Sequence, residues 1–402
     1  MDMTLNDRLD ALGDYPFRRL ANLLAPIAPP DNARPLALSA GDPTLPPPEF
    51  VREVIARHAA DWVSYPPHTG CPEWRDAVVE WLYRRFTLAP GMIEAGRNLI
   101  PAPGTREALF QAGLACVPPT KGGARPLVAM PNPYYPVYAG AGSIGGGELL
   151  HLPATRATGF LPDLDAFEAM GPAVLDRLAL FYLCSPANPQ GVIASRDYMR
   201  RLITLGRRHG FVVAIDECYN EIWWDERPGG GLEAANDLDG TADGVIVFHS
   251  LSKRSSAAGL RSGFVAGCAR VIGGIVRVME YGGAGMPLPV QHAAAALWRD
   301  EEHVAPVRAF YRRNFEIAER AIGSRLGFYR PPAGFFLWLE VGDDVEVCTR
   351  LWREAGLRTL PGSYIGRPDA AGVNPGAGFL RVAMCQPHDV TEAALERLIQ
   401  VI

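Results

Sequence analysis

Val245-Ile-Val-Phe-His-Ser-Leu-Ser-Lys-Arg-Ser-Ser-Ala-Ala-Gly-Leu-Arg-Ser-Gly-Phe-Val-Ala-Gly267 decides how the rest of the chain is read. A β-branched apolar run ends at Ser250, and Lys253 follows among the hydroxyls of Ser250, Ser252, Ser255 and Ser256. Arg261 stands eight residues on, and a second apolar strand begins at Gly263. The pattern holds a lysine at a strand end. Partial desolvation and a neighbouring cation such as Arg261 favour the neutral amine, a nucleophile toward carbonyls, while the hydroxyls and the guanidinium suit a phosphate.

A carbonyl and a phosphate on one small molecule describe pyridoxal 5'-phosphate. The Ser-Leu-Ser-Lys block with its later arginine resembles the cofactor-lysine motif of the class I/II aminotransferases, in the aspartate aminotransferase superfamily of fold type I. The segments on either side extend the pattern. Leu178 to Cys184 runs into Ser185-Pro-Ala-Asn-Pro-Gln-Gly191, Phe211 to Ile215 runs into Asp216-Glu-Cys-Tyr219, and Gly244 to Phe248 runs into the lysine block. Helical stretches, Ser195 to Arg208 the clearest, separate these runs. Alternation of this kind predicts an α/β fold with a mostly parallel sheet, in which ligands bind beyond the carboxyl ends of the strands. All three polar clusters fall there. A carboxylate at a buried strand end needs a cation, so Asp216 suits a protonated pyridine nitrogen; Tyr219 and Asn188 can hydrogen-bond the phenolic oxygen of the cofactor.

Upstream, Leu99-Ile-Pro-Ala-Pro-Gly-Thr-Arg-Glu-Ala-Leu-Phe110 passes from strand to helix through Gly104 and Thr105, leaving unpaired N–H groups and the positive end of a helix dipole before Thr105. The resemblance assigns Gly104, Thr105 and Arg106 to the cofactor's phosphate side, together with Ser250, Ser252 and Arg261. It also places Tyr135, in Pro131-Asn-Pro-Tyr-Tyr-Pro-Val-Tyr138, over the pyridine ring, and lets Tyr65 reach the phosphate of a neighbouring subunit. Gly140-Ala-Gly-Ser-Ile-Gly145 matches a dinucleotide fingerprint but lacks the strand directly before it. These glycines are expected to form a loose turn before a strand from Glu148 to Leu152.

Toward the C-terminus the pattern becomes helices from Ala293 to Trp298 and from Val307 to Ile322, then short apolar strands, which predicts a separate α+β domain. Arg381 lies inside one such strand, Phe379 to Met384. A guanidinium there needs a partner, and its fork matches an α-carboxylate. By the resemblance, Arg381, Gly41, Asn188 and Tyr15 form the substrate side, and Lys253 is the catalytic residue that carries the cofactor and moves a proton. The boundaries expected are a large cofactor domain over 42–289 and a small domain made of 1–41 and 290–402.

Composition sets the outer limits. A chain of 402 residues, 48% hydrophobic and 21% charged, has material for two cores, and its net charge of −5 with no long basic cluster argues against nucleic acid or a membrane surface as partner. The seven cysteines are scattered and never spaced C-x-x-C, no apolar run spans a membrane, and no metal-ligand motif is present. A cytoplasmic, homodimeric enzyme without a metal is expected. Tyr15-Pro-Phe-Arg-Arg-Leu20, the Met286 to Gln291 segment and Pro361 to Gly366 with Gly372 to Gly376 are together similar to the succinyldiaminopimelate aminotransferases; Ala257-Ala258 departs from that pattern, where a proline would precede Gly259. The implied reaction moves an amino group between N-succinyl-LL-diaminopimelate and 2-oxoglutarate in lysine biosynthesis. The alternatives are another class I/II aminotransferase, for aspartate, alanine or aromatic donors, a pyridoxal-phosphate-dependent C–S lyase, or a non-catalytic binding module, the last disfavoured because no helix-turn-helix segment precedes the domain.

Overall fold

The computed structural model describes residues 5–402. A short strand β1 (Leu36–Ala37) is followed by seven strands of one sheet: β2 (Leu99–Ala102), β3 (Leu127–Asn132), β4 (Glu148–Pro153), β5 (Leu178–Cys184), β6 (Val212–Asp216), β7 (Val245–Ser250) and β8 (Gly263–Gly267). Their order across the sheet is β2-β8-β7-β6-β5-β3-β4, parallel throughout except for β8, which runs against both neighbours. This is the expected α/β architecture. β5 is buried on both faces: Leu178, Phe181 and Leu183 face one core, and Leu180 and Tyr182 the other. That two-sided burial is why the strand reads as a continuous apolar run.

A smaller unit adds β9 (Phe336–Glu340), β10 (Leu357–Arg358), β11 (Leu360–Pro361) and β12 (Phe379–Ala383). β12 lies between β11 and β9, antiparallel to both, and pairs Arg381 with Trp338. β1 pairs with β10, which ties the N-terminal segment to this unit. Its core joins Leu20, Leu24 and Leu38 to residues from Val307 onward.

Two expectations are corrected. The sequence boundary at 289 puts the helix Leu288–Arg299 mostly in the small domain, yet Ala293, Ala294, Leu297 and Trp298 are buried in the large core beside Trp74 and Trp81. Along the chain the large core ends at Trp298 and the next core residue, Val307, belongs to the smaller unit, so the change falls between these two and not at 289. Gly140 and Gly142 do not belong to the expected turn, which is confined to Gly145 and Gly146: Pro136–Ile144 is a helix. A Cβ on Gly142 would lie 2.7 Å from Leu149 Cδ2, and one on Gly145 would lie 2.8 Å from the Gly113 carbonyl, so close packing selects glycine here.

Candidate active site

Three parallel strands deliver their ends to one place. β5 leads to Asn188, β6 ends on Asp216, and β7 ends on Ser250, which caps the short helical turn Leu251–Arg254 by accepting from Ser252 N–H. Lys253 sits on that turn. Across the opening stand Arg381 from β12, Gly41 from the N-terminal segment and Tyr15 at the head of the helix Pro16–Leu24. The cavity between them is about 640 Å³ and includes Thr105, Arg106, Tyr135, Asn188, Tyr219, Ser252 and Arg261.

Lys253 is half-buried, and its Nζ donates to the Gly41 carbonyl above the Phe335 ring. Burial pulls its pKa below the ordinary 10.5, although Cys385 and Asp42 oppose the change. Lys253 is one of two lysines in the chain. The other, Lys121, is tied to the carbonyls of Asp176 and His209 at 2.9 and 2.8 Å.

The floor is an anion cradle. The helix Thr105–Cys116 begins here with its first N–H groups and Thr105 facing the cavity, next to the Ser250 and Ser252 hydroxyls. Arg261 has φ of 54°, and its guanidinium lies so close to Gly104 that a Cβ there would meet Nη2 at 2.0 Å. Gly104 itself has φ of 92°. Glycine is therefore required twice at this position, by the backbone and by the arginine.

Asp216 is buried and accepts from the Tyr138 hydroxyl at 2.7 Å and from Cys218 N–H at 3.2 Å. Burial pushes its carboxyl above the usual range, and among the described residues it forms no salt bridge. A protonated ring nitrogen would supply the missing cation. Sequence reasoning missed Tyr138, although it lies in the proline-tyrosine segment; only the fold brings it 78 residues along the chain to Asp216. Tyr135, its own pKa pushed to about 12 by burial, is held by Arg106 Nε at 2.9 Å. Arg106 thereby positions the aromatic face rather than standing free.

Arg381 is 6% exposed. It donates to Asn188 Oδ1 at 3.0 Å and to the Ser39 carbonyl at 2.7 Å, its Nε has no partner, and burial lowers its pKa to about 10. No carboxylate answers it among the described residues, so an internal salt bridge does not explain it. Asn188 keeps its amide N–H groups as donors toward the cavity while its oxygen orients the guanidinium. The set fits pyridoxal phosphate: an amine, an anion cradle, an aromatic face, a buried carboxylate without a cation, and an orphaned guanidinium for a carboxylate.

One expected residue is not brought in. Tyr65 is fully exposed and lines no part of this cavity. It stands beside exposed Trp62 and Val63, and the neighbouring Pro66 packs against Gly285, close to exposed Tyr281. Sequence reasoning also missed Arg254, whose buried guanidinium donates to the carbonyls of Leu297 at 2.7 Å and Asp300 at 3.0 Å. It anchors the lysine turn to the end of the helix Leu288–Arg299.

Residues 33–402 match the family model described as aminotransferase class I and II. The chain is similar to an LL-diaminopimelate aminotransferase of Nitratidesulfovibrio vulgaris, 30% identical over 99% of both chains. It is also 30% identical to the 4-dedimethylamino-4-oxo-anhydrotetracycline transaminase OxyQ of Streptomyces rimosus, over 92% of this chain and 94% of the relative. Among solved structures, an aminotransferase from Neisseria meningitidis superimposes with a TM-score of 0.91 at 34% identity, covering 98% of this chain and 99% of that one.

Proposed function

Because this chain belongs to the class I and II aminotransferases, which work with pyridoxal 5'-phosphate, we propose that it moves an amino group from a diaminopimelate-type donor to 2-oxoglutarate. The sequence resemblance implies the N-succinyl form of the donor, whereas several relatives are named for the unacylated LL-compound. When bound, the cofactor holds the donor's nitrogen and draws electrons away from Cα. The protein's residues do the rest.

In this reading Lys253 carries the cofactor, is released by the incoming amino group, and then moves the proton as general acid and base. Burial suits it to both tasks, since a lowered pKa leaves more of the amine neutral near pH 7, the form that attacks a carbonyl and can accept a proton. Asp216, backed by Tyr138, keeps the ring nitrogen protonated. Gly104, Thr105, Ser250, Ser252 and Arg261 receive the phosphate, Tyr135 covers the ring, and Asn188 and Tyr219 address its phenolic oxygen. Arg381 takes the donor's α-carboxylate in a two-pronged hydrogen bond, with Gly41 and Tyr15 closing the substrate side. The active unit is taken as a homodimer in which the partner's Tyr65 completes each site; Tyr65's exposure outside its own cavity supports this.

The buried, carboxylate-free guanidinium of Arg381 facing Lys253 is the observation that carries the proposal. Stopped-flow absorbance of the bound cofactor with a panel of amino donors tests it. Conversion to the aminated form by glutamate and by a diaminopimelate donor is expected. Preference for aspartate, alanine or an aromatic amino acid by tenfold or more in kcat/KM would replace the donor assignment and leave the general activity standing.

A further inference from the structure

A second chamber of about 670 Å³ adjoins the first and shares Tyr15, Arg106, Tyr134, Pro136 and Ile365 with it. Its walls are partly apolar, from Phe110, Leu114, Val137 and Val278, but Arg18, Arg19, Arg106 and Arg367 also line it. Among the described residues none of these four guanidiniums is in a salt bridge. Asp14 and Glu107 are the only carboxylates lining the chamber, so four cations face two anions and leave an excess of two positive charges. In a confined, partly apolar chamber such an excess favours an incoming anion.

Two of these arginines are held in place without being neutralised. Arg19 lies over the Tyr364 ring with 3.9 Å to its centroid, which fixes the plane of the fork and leaves its N–H edges free. Arg367 donates through Nε to the Tyr134 hydroxyl at 2.8 Å and through Nη2 to the Leu12 carbonyl at 3.2 Å, leaving Nη1. Gly13, with φ of 61°, lets the N-terminal segment close over it, because a Cβ there would meet Nη2 at 2.9 Å. Guanidiniums fixed in advance lose little further freedom on binding.

We propose that this second chamber is a distal-anion subsite, in which Arg19 and Arg367 hold two carboxylates at the far end of a long α-amino acid whose near end meets Arg381. The inference rests on the aminotransferase reading above and adds the charge of the donor's far end. A free diamino diacid ends in a carboxylate and an ammonium, with no net charge. An N-acylated one capped by a second dicarboxylic acid ends in two carboxylates and a neutral amide. Only the second matches the excess charge of the chamber, and the apolar wall receives the methylenes between the two ends.

Steady-state kcat/KM of the holoenzyme for N-succinyl-LL-diaminopimelate and for LL-diaminopimelate, in wild type, Arg19→Gln and Arg19→Lys, tests this. The expected result is a wild-type preference for the succinylated donor of about tenfold or more, a size ordinary for one charged hydrogen-bonded group. Arg19→Gln should erase most of that preference through KM, and Arg19→Lys should restore part of it. A merely structural arginine would lower both donors equally and leave their ratio unchanged, which would overturn the subsite. A wild-type preference for the unacylated donor would do the same. If no amino acid at all converts the bound cofactor, the underlying aminotransferase reading fails instead, and that outcome is told apart by its absorbance.

Discussion

Lys253 works against the cost of its own burial. Its pKa lies below 10.5 in the folded chain, so the penalty for enclosing a charge is fully present below the folded value and fades as pH rises toward 10.5. Lys253→Met should therefore abolish turnover yet raise the stability of the cofactor-free protein at neutral pH, with the gain shrinking toward pH 10.5. Urea unfolding of both apoproteins at two pH values measures it; a destabilised variant would mean that the amine is held by contacts stronger than its desolvation. Arg381 poses the opposite case, a cation whose partner is the substrate. Arg381→Lys should raise KM for every α-amino acid by a factor corresponding to about 1.5–3 kcal/mol, the range for hydrogen bonds to charged groups, with cofactor content unchanged. Unaltered substrate affinity would make Arg381 structural. Gly104→Ala adds a side chain where φ is 92° and where Arg261 already lies. Its expected effect is a cofactor dissociation constant raised about fivefold or more, from roughly 1 kcal/mol of backbone cost and a displaced guanidinium; equilibrium dialysis reads it.

Strand ends carry most of the site, and they were legible because each is a short apolar run that stops at a polar residue. Asn188, Asp216 and Lys253 could be placed on one rim from the alternation of strands and helices alone. Contacts that join distant segments were not legible. Tyr138 reaches Asp216 because a helix follows β3 and turns its hydroxyl under the sheet, and nothing local to either residue announces the pair. Gly142 shows the same limit: glycine propensity points to a turn, whereas packing against Val128 and Leu149 selects a small residue inside a helix. Arg254 belongs to the same class. In the sequence it is only the neighbour of Lys253, yet it satisfies carbonyls at the end of the helix Leu288–Arg299 and so couples that helix to the lysine turn. Arg254→Met should lower stability by about 2 kcal/mol, in keeping with lost charged hydrogen bonds, and should weaken cofactor retention as the turn loosens. Chemical denaturation with and without the cofactor separates the two effects. Equal stabilities would show that the helix end needs no such anchor.

At the scale of the whole molecule the site is a seam. Its floor comes from the large sheet, its opposite wall from Arg381 on the small sheet and from the N-terminal segment, and a second, cationic chamber continues beneath that segment. Two cores and an α/β sheet were readable from length and pattern, but the point where one core yields to the other was not. The helix Leu288–Arg299 packs on Trp74 and Trp81, a choice made by tertiary contact. Tyr65 belongs to this scale too: it is fully exposed and lines no part of its own chain's cavity, so the proposed role needs a second subunit. Mixing Tyr65→Ala with Lys253→Ala subunits should restore activity, since each heterodimer then keeps one intact site. No recovery, with heterodimers confirmed by mass, would place the role of Tyr65 within its own chain or nowhere.

That Lys253 carries the cofactor is the claim on which every other assignment depends, and the chain's two lysines make the test binary. Borohydride reduction of the purified holoenzyme, followed by peptide mapping, should fix the pyridoxyl group on Lys253 and leave Lys121 unmodified. Label on Lys121, or on no lysine of a protein that had bound the cofactor, would contradict the account.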